Sequence, residues 1–168
     1  MRVLVAGVGN ELRGDDGFGI AALRGLERDE SHGADVRYFE SGIAGIALVQ
    51  QLLDGFDALI ILDALDRGAA PGTVFILESD TAALAASEGP REPIDLHQAD
   101  PEGVLQLAAA LQVLPPRVWI VGCQAADCDE LGAGLSEFVR RAVPTAVRRV
   151  YDILTNLSIG ASEAHGSA

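Results

Sequence analysis

The 168-residue chain contains no lysine, and all twelve of its basic residues are arginine. This absence excludes the chemistries that depend on a lysine amine, namely a Schiff base, a P-loop and a Ser–Lys dyad. Cysteine is also scarce, because Cys123 and Cys128 are too few for a disulfide framework. A C-x4-C pair lacks the two further ligands of a zinc site. We therefore interpret both cysteines as small apolar residues at the end of a strand.

Positive charge and long apolar runs are in short supply as well. The chain has 25 acidic against 12 basic residues, a net charge of −13, and such a field repels nucleic acid and anionic lipid. Arg140, Arg141, Arg148 and Arg149 recur at helical spacing and are interpreted as a solvated helix face. No segment has the length of a membrane span or the pattern of a signal peptide. We expect a cytoplasmic protein that binds neither nucleic acid nor membrane.

Short apolar runs alternate with amphipathic segments along the chain. Strands are predicted at 3–6, 34–39, 58–62, 73–77 and 118–121. Helices are predicted at 17–30, 45–53, 99–111 and 136–154. This alternation predicts an α/β fold, a three-layer sandwich with a mostly parallel, twisted sheet of about five strands and helices on both faces. We expect a single domain over residues 1–157 and a disordered tail over 158–168.

Two connections in this pattern carry further predictions. The turn between 58–62 and 73–77 contains Pro71 and is too short for a crossover helix. These two strands are therefore predicted to be antiparallel neighbours. Residues 79–95 have no clean period and are interpreted as a loop with one helical turn.

The glycine loop after the first strand reads Gly7-Val8-Gly9-Asn10-Glu11-Leu12. A dinucleotide fingerprint needs glycine at position 12, where this chain has leucine. Asp15 and Asp16 follow at the entry of the first helix, where they would repel a pyrophosphate. Glu40 stands roughly where a ribose-binding acid belongs, yet we assign no nucleotide.

Three candidate side chains, those of Asp16, Asp63 and His97, lie where strands pass into helices. Asp15 is interpreted as a helix cap, which leaves Asp16 free to face the cleft. Asp63 directly follows the apolar run 59–62, and either caps the next turn or serves as a metal-binding or catalytic carboxylate. His97 stands in a loop before a helix. Two carboxylates and an imidazole suit an open site for a first-row divalent metal.

Nucleophilic catalysis has weaker support. The chain has no Gly-x-Ser-x-Gly elbow. Ser41 after the second strand and Cys123 at the end of the last strand are the remaining candidates, and neither has a histidine near it in sequence.

The order of these pieces resembles the hydrogenase maturation endopeptidase family. That family opens with a strand followed by G-x-G-N-x-L-x-x-D-[DE]-G-x-G, a pattern that residues 7–19 match. Matches continue at 58–64, at Pro71-Gly72-Thr73, in the His97 loop and over 134–144. The resemblance covers roughly residues 1–152.

The resemblance implies a specific activity. Family members are endopeptidases, often classed as aspartic-type, that remove the C-terminal extension of a nickel–iron hydrogenase large-subunit precursor after nickel insertion. It implies metal contacts from Asp16, Asp63 and His97, with nickel supplied by the precursor. Asp16 and Glu40 are our candidates for catalysis, the latter as an auxiliary base. We also expect Gly9 and Asn10 to contact the substrate, and the enzyme to be a monomer.

The chain departs from the family pattern in two loops. Where relatives often carry Asp-Gly-Gly-Thr-x-Gly, this chain has Glu40-Ser41-Gly42-Ile43-Ala44-Gly45, and where they often carry Gly-x-Glu-Pro it has Gly122-Cys123-Gln124-Ala125. We expect these changes to affect which hydrogenase is recognised. Two alternatives stay open: a non-catalytic Rossmann-like module that binds a nucleotide or an anion, and a metal-dependent peptidase of another family.

Overall fold

A computed structural model of the chain describes residues 1–27, 35–86, 101–132 and 134–165, the last seven of these by their backbone alone. The strands are β1 Val3–Val8, β2 Val36–Gly42, β3 Ala58–Leu65, β4 Val74–Glu78 and β5 Arg117–Gln124. The helices are α1 Phe18–Glu27, α2 Gly45–Leu52, α3 Thr81–Ala86, α4 Pro101–Ala110 and α5 Glu137–His165. The strands form one five-stranded sheet in the order β2-β1-β3-β5-β4.

The sheet is parallel except at one edge. β1 pairs in parallel with β2 and β3, and β3 pairs in parallel with β5, whereas β4 is antiparallel to β5. The predicted pairing of β3 with β4 is therefore wrong, although the predicted antiparallel direction is right. β5 inserts between the two strands. The connection 66–73 has only to cross two strand spacings, about 10 Å, which needs no helix.

Helices cover both faces of the sheet, as predicted. Val3 and Val5 of β1 pack in one core with α1 and α5, while Leu4 and Ala6 pack in the other core with α2 and α4. Successive strand residues point to opposite faces, so one apolar run such as β1 supplies both cores. The α/β three-layer architecture is confirmed.

The last helix is longer than predicted. α5 runs to His165, eight residues into the segment for which we predicted a disordered tail. That prediction rested on small polar residues, but buried Leu157 continues the apolar stripe by one more turn. The stripe consists of Val139, Ala142, Ala146, Val150, Ile153, Leu154 and Leu157. Pro144 lies on the exposed face of this helix.

The arginine group of α5 is exposed, as predicted. Arg140 and Arg141 form ion pairs with Glu137, and Arg149 pairs with Asp152. Exposed pairs three or four residues apart on one helix are typical of a solvated face. No helix in the described parts of the chain is both long and apolar enough to cross a membrane.

Several predicted segments fall partly outside the described residues, among them residues 28–30 of the first predicted helix and residue 34 of the second predicted strand. α4 begins at Pro101, whereas its predicted start, residues 99–100, is not described. α3 supplies the helical turn expected within 79–95, of which 87–95 are not described.

The start of α1 packs directly on the ends of β1 and β3. A Cβ at Gly19 would lie 2.2 Å from the carbonyl oxygens of both Val8 and Leu62, so a side chain there would force the helix away. The preceding residues, Gly14–Gly17, form a 3-10 turn. Asp16 is thereby held at the carboxyl edge of the sheet, beside the strand that carries Asp63. Open α/β sheets bind their ligands at this edge.

Candidate functional site

The glycine loop folds back on Asp16. The N–H of Asn10 donates to Asp16 Oδ2 at 2.9 Å. Gly9 has a φ of +117°, and a Cβ at this position would lie 1.9 Å from the carbonyl oxygen of Asp16. Only glycine allows the loop to close this tightly. Gly9 and Asn10 thus shape the loop that holds Asp16, and their predicted contact with substrate stays a prediction.

The carboxylate of Asp16 keeps one oxygen available. Within the described parts of the chain, Oδ1 accepts no hydrogen bond, and the residue is half-buried. The Asn10 amide, which a phosphate-binding loop would present to its ligand, is already used by Oδ2. This geometry weighs against the nucleotide-binding alternative and favours a role for Asp16 toward a cation or a reacting group.

Asp63 continues the buried strand β3 beyond its apolar run, as predicted. It is 6% exposed and stands opposite Gly122 in the register with β5. The missing side chain at Gly122 makes room for Leu65, whose Cδ1 would lie 2.1 Å from a Cβ at this position. A buried carboxylate at a sheet edge is costly unless donors or a cation meet it.

The half-buried thiol of Cys128 is affected by the charges of both Asp16 and Asp63. The pKa of Cys128 is raised to about 11, first by burial and then by the negative charges of Asp16, Asp15, Asp63 and Asp127. The charges of Asp16 and Asp63 therefore both act on this thiol. Cys128 follows β5 rather than ending it, which corrects our interpretation of this residue. Its spacing from Cys123 gave no signal of this location.

The third predicted metal contact, His97, lies outside the described residues. Among the residues that are described, no three His, Cys, Asp or Glu side chains form a group that could hold a metal ion. Asp16 and Asp63 supply carboxylate oxygens of the kind that divalent first-row metals accept. The trio with His97 therefore stays a prediction.

Asp15 has a different role from the predicted helix cap. Its buried carboxylate accepts hydrogen bonds from the N–H groups of Ala126, Asp127 and Ser136 at 2.8, 3.3 and 2.7 Å, and from the Ser136 hydroxyl at 3.0 Å. These donors belong to the segment after β5 and to the residue before α5. Asp15 thus ties two distant parts of the carboxyl edge together, a role hidden from sequence because its partners lie over 110 positions away.

Glu40 is not a free carboxylate. Both of its oxygens accept hydrogen bonds from Arg24 of α1, at 2.6 and 3.2 Å. The same guanidinium binds both oxygens of Glu11, at 2.6 and 2.9 Å. The hydrogen bond to Glu40 is the largest cause of the raised pKa of Arg24, and the hydrogen bond to Glu11 is the next. A carboxylate held by two charge-assisted hydrogen bonds is poorly placed to act as an auxiliary base, so the geometry does not support that prediction.

Gln124, at a position where the family pattern often has glutamate, closes the turn after β3. Its Oε1 accepts from the N–H groups of Arg67 and Ala69, and its Nε2 donates to Asp66 Oδ1 and the carbonyl of Ala125, all within 2.8–3.2 Å. The hydrogen bond from Gln124 also lowers the pKa of Asp66. An amide serves this buried site because it both donates and accepts.

The two nucleophile candidates have structural roles. The Ser41 hydroxyl donates to the carbonyl of Ala44 at 3.1 Å and so forms the turn before α2. The Cys123 thiol is fully buried in β5, and burial followed by the charge of Asp15 raises its pKa to about 11. A thiol protonated at neutral pH and shielded from solvent is a weak nucleophile.

Comparison with known proteins agrees with this arrangement. The HycI family model, described as hydrogenase maturation protease, matches residues 20–153. Hydrogenase expression/formation protein HupD of Rhizobium leguminosarum bv. viciae is 31% identical over 158 residues, which cover 94% of this chain and 76% of HupD. HoxM of Azotobacter vinelandii is 33% identical over 170 residues, covering 99% and 78%. The solved structure of hydrogenase maturating endopeptidase HybD from E. coli matches with a TM-score of 0.75 and 30% identity over 93% of both chains. With its Asp16 loop and Asp63 at one sheet edge, this chain belongs to the hydrogenase maturation protease family.

Proposed function

We propose that this hydrolase removes the C-terminal extension of a nickel–iron hydrogenase large-subunit precursor once nickel has been inserted. The proposal rests on the family and on one observation, the open Oδ1 of Asp16 at the carboxyl edge of the sheet, the same edge at which Asp63 follows the apolar run of β3. A carboxylate that is oriented through one oxygen and open at the other suits contact with a cation and with a reacting water.

The reaction is the hydrolysis of one peptide bond. Water adds through its oxygen to the scissile carbonyl carbon, the C–N bond breaks, and the leaving amine takes up a proton. In our proposal the open oxygen of Asp16 accepts the proton of the attacking water. Glu40 has no part in this step, because Arg24 holds both of its oxygens.

Nickel enters this proposal as part of the substrate. Asp16, Asp63 and His97 would contact the metal that the precursor already carries, so that only a loaded precursor is held in register for cleavage. Such a contact uses the enzyme's oxygen and nitrogen donors to complete the metal's coordination. An enzyme whose metal arrives with its substrate has no need of tight metal binding by itself.

The decisive experiment is a gel-mobility assay of the cognate precursor, nickel-loaded and nickel-free, with this protein. We expect faster migration of the precursor only in the loaded lane. Equal cleavage in both lanes would remove the nickel requirement and keep the peptidase. No cleavage in either lane, with folded enzyme and a verified partner, would overturn the proposed function.

His97 is tested in the same assay. We expect His97→Ala to abolish cleavage with an unchanged circular dichroism spectrum, because the variant loses one of three metal contacts. His165→Ala, near the end of α5, is the matched control and should cleave at the wild-type rate. Normal cleavage by His97→Ala would remove this histidine from the site.

Two further properties remain predictions. A monomer is expected, and size-exclusion chromatography with light scattering measures it directly. A cytoplasmic location is expected too, and cell fractionation of the native host tests it.

A further inference from the structure

Large apolar side chains are exposed around the Asp16 loop. Leu12 and Leu131 are the most exposed of those described, at 69% and 77%, and Ile43 and Ile46 are also exposed. We call these four residues the apolar rim. They come from three segments: the glycine loop, the connection from β2 to α2 with its first turn, and the segment after β5.

Hydrogen bonds fix these segments next to the site. The N–H of Gly132 donates to the carbonyl of Leu12 at 2.9 Å, and Arg13 forms an isolated antiparallel bridge with Leu131. The N–H of Gly9 donates to the carbonyl of Gly42 at 3.1 Å. The rim is therefore held in place beside Asp16 before any partner arrives, and a preorganised surface loses little entropy on binding.

The charge around the rim is one-sided. Asp127, Asp129 and Glu130 lie within four residues, and all three are exposed. Arg13 pairs with Asp129 at 2.5 Å, which leaves the segment with a net negative charge. The whole chain carries a charge of −13. A partner segment of basic and apolar character complements this surface, whereas an acidic one is repelled.

We propose that the apolar rim and the carboxylates after β5 dock a segment of the large-subunit precursor that carries apolar side chains next to basic ones. The proposal rests on the proposed function, since it names what that same site recognises beyond the metal. Continuity with the Asp16 loop is what ties the surface to the reaction. The rim contacts protein rather than nickel, so docking should persist with a nickel-free precursor.

Binding is measured by biolayer interferometry with the immobilised nickel-free precursor, which the enzyme does not cut under the proposed function. We expect Leu12→Ser combined with Leu131→Ser to raise Kd about tenfold or more, because central apolar contacts carry most of the binding energy of an interface. Leu53→Ser and Leu111→Ser remove leucines that are 64% and 52% exposed at the opposite edge of the sheet, and both should leave Kd unchanged. Equal Kd values for the double variant and these controls would overturn the proposal.

The charge is tested in parallel. Glu130→Arg should raise Kd several-fold and flatten its dependence on salt, while Glu78→Arg on β4 should change neither. A lower Kd for Glu130→Arg would overturn the predicted basic character of the partner. A wild-type protein that is a dimer, together with rim variants that are monomers, would identify the rim as a self-interface and overturn the proposal.

Cleavage assays separate the two proposals. If the wild type cuts the loaded precursor and the rim variants raise KM with little change in kcat, both proposals stand. If the wild type binds but never cuts, the proposed function fails while docking survives. If it cuts and the rim variants match their controls in both Kd and KM, docking alone fails.

Discussion

Two neighbouring carboxylates divide the carboxyl edge of the sheet into a closed and an open half. Asp15 is 1% exposed and accepts four hydrogen bonds, which join the segment after β5 to the start of α5. Asp16 is half-buried and, among the residues that the structure describes, accepts a single hydrogen bond, from Asn10. The closed half also contains Gln124 with its four hydrogen bonds.

This contrast separates support from chemistry. A carboxylate surrounded by backbone N–H donors stabilises the fold and has no acceptor lone pair left for a substrate. A carboxylate fixed through one oxygen is both oriented and available, which is what catalysis and metal contact require. The rigid half thus holds the reactive half in place, and mutations in the two halves should fail in different ways.

The largest expected effect is on catalysis in the open half. Asp16→Asn keeps an oxygen to accept from Asn10 but loses the charge, so we expect cleavage of the loaded precursor to fall about 10²–10³-fold. The melting temperature should stay within about 2 °C of wild type. Asp80→Asn, an exposed carboxylate at the start of α3, is the matched control and should cleave normally. Normal cleavage by Asp16→Asn would reduce this residue to a support of its loop.

The closed half should respond in stability. Asp15→Asn puts an N–H donor against backbone donors in a buried site, and we expect a loss of about 2–4 kcal/mol in the free energy of unfolding. Urea titration followed by circular dichroism measures this loss. Asp57→Asn, where a single exposed hydrogen bond from the N–H of Arg2 is affected, should cost less than about 1 kcal/mol. Equal costs for the two variants would break the proposed division of the edge.

Much of this arrangement follows from local sequence. The apolar runs predict both cores because strand residues alternate between them, and the position of Asp63 follows from the run before it. The sequence predicts Asp16 as the open member of the pair by assigning Asp15 to a helix cap, although Asp15 binds distant segments instead. Each of these predictions rests on residues within about ten positions of the feature predicted, a range over which hydrophobic periodicity and turn chemistry act.

The rest depends on contacts between distant segments. Asp15 contacts Ala126, Asp127 and Ser136 because the fold brings the segment after β5 next to the start of α1. Glu40 binds Arg24 because β2 lies beside α1, and no sequence pattern predicts that ion pair. The position of β5 between β3 and β4 is likewise a choice of topology, since the connection 66–73 fits either arrangement.

Gln124 sharpens the comparison from within the closed half. Gln124→Glu removes the two donated hydrogen bonds and places a second carboxylate 3.1 Å from Asp66, so we expect the melting temperature at pH 7 to fall by about 5 °C. Gln50→Glu, on an exposed position of α2, should change it by less than about 1 °C.

The pH dependence of this variant has a definite sign. Burial and Asp66 raise the folded-state pKa of the new carboxyl above its unfolded value, so its penalty is present at neutral pH and disappears as the pH falls through the folded pKa. The wild type behaves in the opposite way, because Gln124 lowers the pKa of Asp66 and that stabilisation is lost as the pH falls. Thermal melts from pH 7 to pH 4 should show the two proteins converging, and a constant gap would contradict this account.

The smallest expected effect concerns Glu40, a further carboxylate at this edge. Its two oxygens are bound to Arg24 on an exposed surface, where ion pairs contribute little. We therefore expect Glu40→Gln to keep cleavage within about fivefold of wild type, in contrast to Asp16→Asn. Arg24→Gln, which releases both Glu40 and Glu11, provides the counterpart. If Glu40 becomes a base once it is free, Arg24→Gln should change the pH profile of cleavage, and the further variant Glu40→Gln should abolish that change. A pH profile unchanged from that of the wild type in both variants would leave Asp16 as the carboxylate that acts on the scissile bond.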